Sequence, residues 1–190
     1  MTYLILGIVI FLGMHLFGML LPAIRERLIA RMGEGPWKGL YSVVSLLGLG
    51  LMIYGWWVAR NAPEGGFVYA PPDWARHATM LLVLVGFILI GAAHGKGNIK
   101  LWVKQPMSIG IALWAIGHLL ANGERADIWL FGSILLLAAV DIVASAMRGK
   151  VPHYEPRLRS DIIAVIVGIV LYLVFLFGFH PYILGVPVVA

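Results

Sequence analysis

Histidine is the residue type in this sequence whose placement could support chemistry. Five of the six histidines lie inside or at the ends of apolar stretches long enough to cross a bilayer, namely His15, His77, His94, His118 and His180. An ionisable side chain at membrane depth costs roughly 1 to 3 kcal/mol or more unless a partner satisfies it, so such residues are functional candidates. Because cysteine is absent, a group of imidazoles indicates metal or haem binding before acid–base catalysis.

The elements that must position these histidines are predicted to be membrane-embedded. The 190 residues are 61% hydrophobic and 12% charged, with a mean hydropathy of +0.93, which is far outside the range of soluble proteins. No region of soluble composition is left for a second domain, so residues 1–190 are predicted to form one transmembrane domain. The absence of cysteine excludes disulfides, thiolate metal sites, iron–sulfur clusters and covalently attached haem.

Apolar runs of bilayer-crossing length predict an all-α bundle of six transmembrane helices. The predicted spans cover residues 3–21, 40–58, 75–93, 107–121, 128–147 and 162–179. The first is expected to stay as a span and not to be cleaved as a signal peptide, because no basic segment precedes it. Tryptophans near the span ends are typical of interface anchors, and they are Trp37, Trp56, Trp57, Trp74, Trp102 and Trp129.

The distribution of basic residues predicts the orientation of the bundle. Only Arg60, Arg76 and Arg125 lie on one side, and the other Lys and Arg residues follow spans one, three and five. By the positive-inside rule, both termini lie outside and the basic loops lie in the cytoplasm. The pI near 9.7 then reflects topology, and nucleic acid is not an expected partner. The cytoplasmic set is Arg25, Arg27, Arg31, Lys38, Lys96, Lys100, Lys104, Arg148, Lys150, Arg157 and Arg159.

The fourth span carries the densest pattern. At helical spacing Gly110, Trp114, His118 and Asn122 share one face, so Trp114 and Asn122 lie one turn on either side of His118. The indole of Trp114 and the polar side chain of Asn122 would flank the imidazole. Together with the small residues Gly110 and Gly117, they would let a flat ligand approach it. The alternative is a small-residue packing face for a neighbouring helix, with one interhelical hydrogen bond from His118.

Four segments in chain order resemble the NnrU family. The first is the helical stripe of Gly7, Phe11, His15 and Gly18 followed by residues 25–33 (Arg-Glu-Arg-Leu-Ile-Ala-Arg-Met-Gly). The others are residues 71–77 (Pro-Pro-Asp-Trp-Ala-Arg-His), residues 113–123 (Leu-Trp-Ala-Ile-Gly-His-Leu-Leu-Ala-Asn-Gly) and residues 180–186 (His-Pro-Tyr-Ile-Leu-Gly-Val). The resemblance runs almost end to end. The family includes bacterial membrane proteins linked to nitric-oxide reduction in denitrifiers, and it is related to the zeta-carotene isomerase of plants and cyanobacteria.

This resemblance implies a bacterial inner-membrane protein that holds haem b non-covalently through histidines. By matching motif, the axial ligands correspond to His15 and His118, while His77 and His180 match family histidines of unassigned role. The implied setting is nitric-oxide or respiratory redox physiology, with a reductase or an electron donor as partner. Two alternatives stay open: a haem-dependent isomerase of a polyene lipid, and a haem-free membrane factor that helps to assemble a reductase.

One residue departs from the family pattern. The family commonly has Arg-His-Pro before the fourth span, where this chain has Lys104-Gln105-Pro106. The Gln105 amide can form hydrogen bonds, but it cannot titrate near neutral pH or bind iron well. The substitution therefore favours haem binding over isomerase chemistry.

Depth within the bilayer separates the histidines into two layers. With a rise of about 1.5 Å per residue, His15 lies ~10 Å from the cytoplasmic end of its span and His118 ~18 Å from the cytoplasmic end of its own. His77, His118 and His180 thus form an outer layer, and His15 and His94 an inner one. Pairing of His118 with His77 or with His180 is therefore an alternative to pairing with His15.

Asp141 is another residue whose ionisable side chain is energetically unfavourable within a span. A carboxylate near the cytoplasmic end of the fifth span requires a cationic or hydrogen-bonding partner. Residues expected at similar depth are His94, Lys96 and His15. Asp141 is predicted either to hold neighbouring helices together or to orient a ligating imidazole.

Overall fold

The computed structural model describes residues 1–62, 65–149, 151–186 and 188, and these residues are helical throughout, apart from short connections and one isolated β-bridge between Phe67 and Glu124. The helices are α1 (Thr2–Leu20), α2 (Pro22–Met32), α3 (Glu34–Arg60), α4 (Ala75–Ala92), α5 (Asn98–Val103), α6 (Pro106–Ala121), α7 (Arg125–Met147) and α8 (Leu158–Val174). A π-helical segment, Phe175–Ile183, continues α8. Lys150, one of the predicted cytoplasmic basic residues, lies outside the described residues.

Five of the six predicted spans are long and apolar enough to cross a membrane. They are α1, α3, α4, α7 and α8 with its π-helical continuation. The helix of the remaining span, α6, is apolar but has 16 residues, which corresponds to about 24 Å against a hydrocarbon core of about 30 Å. The all-helical fold class is confirmed, and the structure supports five spans by length.

Two helices were not predicted from the sequence. Pro22 begins α2, where its missing N–H costs nothing because the first helical N–H groups have no intrahelical acceptor. The backbone of Leu21, with φ −119° and ψ 55°, separates α2 from α1. The short α5 lies between α4 and α6. Both helices occupy segments that hydropathy alone treats as loops, because basic side chains lower their mean hydropathy.

In the packing of the helices, α7 lies between α1 and α6. α1 packs against α3 and α7, α6 packs against α7 and α4, and α4 also packs against α8. In the described part of the chain, α1 and α6 make no direct backbone contact. A buried cluster that includes Leu4, Met52 and Phe131 joins α1, α3 and α7.

Two of the predicted interface tryptophans are instead buried. Trp37 is 5% exposed and Trp56 is 8% exposed, because both face neighbouring helices. Trp57, next in the chain to Trp56, is 59% exposed and faces outwards. Position near a span end therefore did not distinguish tryptophans that anchor the helix in the interface from those that pack inside.

Proline explains why the last helix widens. In an α-helix the ring of Pro181 would clash with the carbonyl four residues earlier, and its nitrogen has no hydrogen to donate. From Phe175 to Ile183 the backbone adopts the wider π-helical turn, and the backbone N–H of Leu184 donates to the carbonyl of Phe179, five residues earlier. Such widened turns are frequent at functional sites, and this one carries His180.

Candidate histidine site

His118 lies three residues before the end of α6, within a group of aromatic rings. Its Nδ1 donates a hydrogen bond to the carbonyl of Trp114 at 2.8 Å. The Trp114 ring lies 4.6 Å from the imidazole. Phe131 of α7 stacks on the same imidazole, with centroids 4.6 Å apart and planes inclined by 30°. The half-buried imidazole is thus held in one orientation by its own helix and by two aromatic neighbours.

His180 of the π-helical segment faces His118. The two imidazole centroids are 6.2 Å apart and the planes are inclined by 18°. Nδ1 of His180 donates to the carbonyl of Phe175 at 2.8 Å. In the described part of the chain, α6 and the π-helical segment make no direct backbone contact, so the side chains alone bring the two histidines together.

The hydrogen bonds determine which nitrogen of each ring is available. A carbonyl oxygen can only accept, so Nδ1 of both His118 and His180 carries the hydrogen and Nε2 carries a lone pair. That tautomer, fixed by a second hydrogen-bonding partner, is the usual form of a ligating imidazole. A ring centroid lies about 3 Å from a metal at an Nε2–metal distance of about 2 Å. Two imidazoles that bind one ion can therefore have centroids at most about 6 Å apart, which is close to the separation of His118 and His180.

Asn122 secures the end of α6 and does not contact the imidazole. Its Nδ2 donates to the carbonyl of His118 at 2.8 Å, and its own carbonyl accepts from the Tyr69 hydroxyl at 3.0 Å. Burial raises the pKa of the Tyr69 phenol above its usual value near 10, and the negative charge of Asp127 adds to the rise. Asn122 therefore ties the helix that carries His118 to the loop before α4.

Gly110 and Gly117 serve helix packing and do not provide access for a flat ligand. A Cβ on Gly110 would lie 2.6 Å from the carbonyl oxygen of Gly86 on α4. A Cβ on Gly117 would lie 3.3 Å from Thr79, which is also on α4. Both glycines face α4, while His118 contacts rings of α7 and the π-helical segment. For these two glycines, the alternative that they form a packing face for a neighbouring helix is confirmed. The predicted interhelical hydrogen bond from His118 is wrong, because its Nδ1 donates to a carbonyl within α6.

His15 lies in a different cluster. Its Nδ1 donates to the carbonyl of Phe11 at 2.8 Å, and its ring lies 4.2 Å from that of Phe11 and 5.4 Å from that of Tyr41 on α3. It lies five residues before the end of α1, about 8 Å along the axis. The structure therefore brings His118 together with His180 and leaves His15 among residues of α1 and α3.

The other predicted residues are apart from both clusters. His77, in the first turn of α4, and His94, just after α4, are exposed. Gln105, which stands where the family commonly has histidine, precedes α6, and its buried Oε1 has no hydrogen-bond partner among the described residues. Across those residues, no group of three or more His, Cys, Asp or Glu side chains is arranged to hold a metal ion.

Asp141 contacts none of the partners expected from depth. Its carboxylate accepts a short hydrogen bond from Ser108 of α6 and a longer one, 3.4 Å, from Ser145. Arg148 approaches it at 4.0 Å. His94, Lys96 and His15 are therefore wrong as partners, because the α6–α7 contact places a serine against this carboxylate. The helix-packing role predicted for Asp141 fits these contacts.

Two residues of the site region were missed by sequence reasoning. Phe131 could have been found: the short α6–α7 connection makes those helices antiparallel neighbours, so residues within about two turns of it on each helix, such as His118 and Phe131, can come into contact. Asp127, 1% exposed, accepts a hydrogen bond from Trp56 Nε1 at 2.7 Å. No pattern in the sequence indicated that pair, because it joins helices far apart in the chain.

Comparison with known proteins gives one match. A family model described as "NnrU protein" matches residues 3–188, nearly the whole chain. Neither the curated proteins nor the solved structures contain a match.

Proposed function

The chain belongs to the NnrU family, and from this premise we propose that it is an inner-membrane protein that binds one haem b through His118 and His180. The observation that carries the proposal is the pair of facing imidazoles, 6.2 Å apart, each with Nδ1 bonded to a backbone carbonyl. Neutral imidazole nitrogen is a common axial ligand of haem iron.

The residues around the pair suit haem better than a metal ion without a porphyrin. Two histidines leave most positions of such an ion without protein ligands, whereas a porphyrin supplies the remaining nitrogens itself. Trp114 and Phe131 provide apolar aromatic surface beside His118. Non-covalent attachment agrees with a chain that has no cysteine.

Haem, when bound, would supply one-electron redox chemistry. The protein's own contribution is to orient and shield. Trp114 and Phe175 hold the two imidazoles through backbone carbonyls, and the Phe131 ring keeps water from one face of His118. We assign this haem to nitric-oxide or respiratory redox physiology, as the resemblance implies, with an electron donor or a reductase as partner.

We further propose that α6 is a sixth span and that both termini are periplasmic. α6 packs between α4 and α7, both of which are long enough to cross the bilayer. The excess of Lys and Arg at one end of the bundle supports a cytoplasmic position for that end. Alkaline phosphatase fused after Gly33 should be inactive and after Asn61 active; the reverse pattern contradicts the orientation.

The haem itself is tested by purifying the protein from cells supplied with a haem precursor. We expect a Soret band and a pyridine haemochrome spectrum of b type, at one haem per chain. A preparation without either signal contradicts the proposal and leaves the haem-free assembly factor as the better reading. Incubation of haem-loaded protein with a cis-carotenoid, followed by product analysis, tests the isomerase alternative.

A further inference from the structure

An apolar groove runs along the outside of the α1–α7 contact. It is an open depression with a volume of about 300 Å³, lined by Leu20 at the end of α1 and by five residues from the last turns of α7: Ala139, Val140, Val143, Ala144 and Met147. Two small alanines among larger neighbours create the depression. The α7 residues extend over about 12 Å of helix.

The groove opens to the surface that the bilayer covers. Val143 is 58% exposed and Met147 is 84% exposed, and both belong to a helix long and apolar enough to span a membrane. An apolar depression on such a surface is filled by hydrocarbon, because water cannot form hydrogen bonds there. The groove alone therefore calls for an acyl chain without specifying which lipid carries it.

Arg148 places a cationic group at one end of the groove. It follows α7 directly, and its guanidinium donates to the carbonyl of Met19 at 3.1 Å and to the Ser145 hydroxyl at 3.2 Å. Both acceptors are next to groove residues, Leu20 and Ala144, so the guanidinium lies where the groove meets the helix ends. Its side chain is 34% exposed. Since a guanidinium has five N–H donors, several stay available to an outside acceptor.

A second basic element borders the same end. α2 begins two residues after Leu20, and the N–H of Arg25 in its first turns bonds to the carbonyl of Leu21. Arg25, Arg27 and Arg31 are exposed on this helix, with Glu26 as its acidic residue. Asp141, at 4.0 Å, offsets part of the Arg148 charge, but the basic residues outnumber the acidic ones at this edge.

We propose that this groove binds an anionic phospholipid, with one acyl chain between α1 and α7 and the phosphate at Arg148. The apolar groove leads to the charged Arg148 in the same way that the acyl chain of such a lipid leads to its phosphate. Arginine forms paired, charge-assisted hydrogen bonds with phosphate oxygens. The bound lipid joins the ends of α1 and α7 to the start of α2, in addition to the Arg148–Met19 hydrogen bond.

Native mass spectrometry of the full-length protein, after exposure to phosphatidylglycerol or phosphatidylcholine in mixed micelles, tests the proposal. We expect phosphatidylglycerol to be retained about fivefold more tightly, because its headgroup has a net negative charge, whereas the choline ammonium of phosphatidylcholine offsets the phosphate charge that Arg148 would meet. Arg148→Gln should abolish the preference, whereas the matched control Arg159→Gln, at the exposed start of α8, should keep it.

A second variant addresses the groove independently of charge. Ala144→Leu fills the groove and should lower retention of both lipids. Ala146→Leu should not, because Ala146 is exposed and does not line the groove. Equal retention of the two lipids by the unaltered protein overturns the proposal, as does retention of a neutral polyene or quinone in place of phospholipid. If Arg148→Gln fails to accumulate, Ala144→Leu decides, and retention equal to that of Ala146→Leu overturns the proposal.

Discussion

The indole Nε1 of Trp56 on α3 donates a hydrogen bond of 2.7 Å to the carboxylate of Asp127 on α7. Asp127 is 1% exposed, and the other charged groups nearby, Arg60 and Glu124, are paired with each other at 3.4 Å. Among the described residues, the indole is the interhelical hydrogen-bond donor to this carboxylate. This contact fixes α3 against the first turn of α7. That turn lies at the same end of the bundle as His118.

Replacing Trp56 with phenylalanine should destabilise the protein by about 1 to 3 kcal/mol, because it leaves a buried carboxylate oxygen without its donor. Thermal unfolding in detergent, followed by circular dichroism, measures the change. Trp57→Phe is the matched control, since Trp57 is 59% exposed. Equal melting temperatures for the two variants would show that the Trp56–Asp127 hydrogen bond contributes nothing measurable.

The ligand assignment predicts unequal effects of histidine substitutions. Under the proposed function, His118→Ala and His180→Ala should each change the low-spin spectrum of the bound haem, because each removes an axial nitrogen. His77→Ala, at an exposed position, should leave it unchanged. Absorption and electron paramagnetic resonance spectra of the purified variants provide the measurement.

His15→Ala distinguishes the structural pairing from the one that the family resemblance implies. Because His15 contacts Phe11 and Tyr41 and not His118, we expect its removal to keep the haem spectrum. A changed spectrum in His15→Ala together with an unchanged one in His180→Ala reverses the assignment in favour of His15 and His118.

Close helix packing predicts a difference between two glycines. A Cβ at Gly110 would lie 2.6 Å from the Gly86 carbonyl oxygen and 2.9 Å from Ile90, whereas one at Gly132 would meet nothing within 4 Å. Gly110→Ala should therefore cost about 1 to 3 kcal/mol through forced separation of α4 and α6. Gly132→Ala should be neutral or slightly stabilising, since alanine favours helix. Unfolding temperatures that fall equally in both variants contradict this explanation.

The sequence was most informative where one helix carries its own signal. Hydropathy located the long helices, because a span must be apolar over its whole length, and the pattern around His118 correctly joined Trp114 to the imidazole. It could not show that Gly110 turns towards α4, since small residues suit a ligand and a helix equally well. The side on which a neighbour lies is a property of the bundle and not of one helix.

The partner of His118 was beyond sequence reasoning for a related reason. Depth placed His180 and His77 in the same layer as His118, but depth does not say which helices adjoin. The structure selects His180 because Pro181 widens the end of the last helix and the side chain bonds back to Phe175. His77 lies at a similar depth on α4, yet it is exposed and apart.

Tyr69 predicts a pH dependence at the same end of the bundle. Burial, and then the charge of Asp127, raise the pKa of its phenol above the usual value near 10. The folded chain therefore holds this proton more tightly than the unfolded chain does. Its contribution to stability is complete below about pH 10, and it is lost as the pH rises from there towards the raised pKa.

Tyr69→Phe removes that contribution together with the hydrogen bond to the Asn122 carbonyl. We expect the variant to be less stable at pH 8 by about 0.5 to 1.5 kcal/mol, and to lose stability less steeply than the unaltered protein above pH 10. Unfolding temperatures across that range measure both effects. Tyr182→Phe, at a residue that is 83% exposed, is the control and should follow the unaltered protein. Parallel alkaline profiles for Tyr69→Phe and the unaltered protein would assign the high-pH loss to other groups.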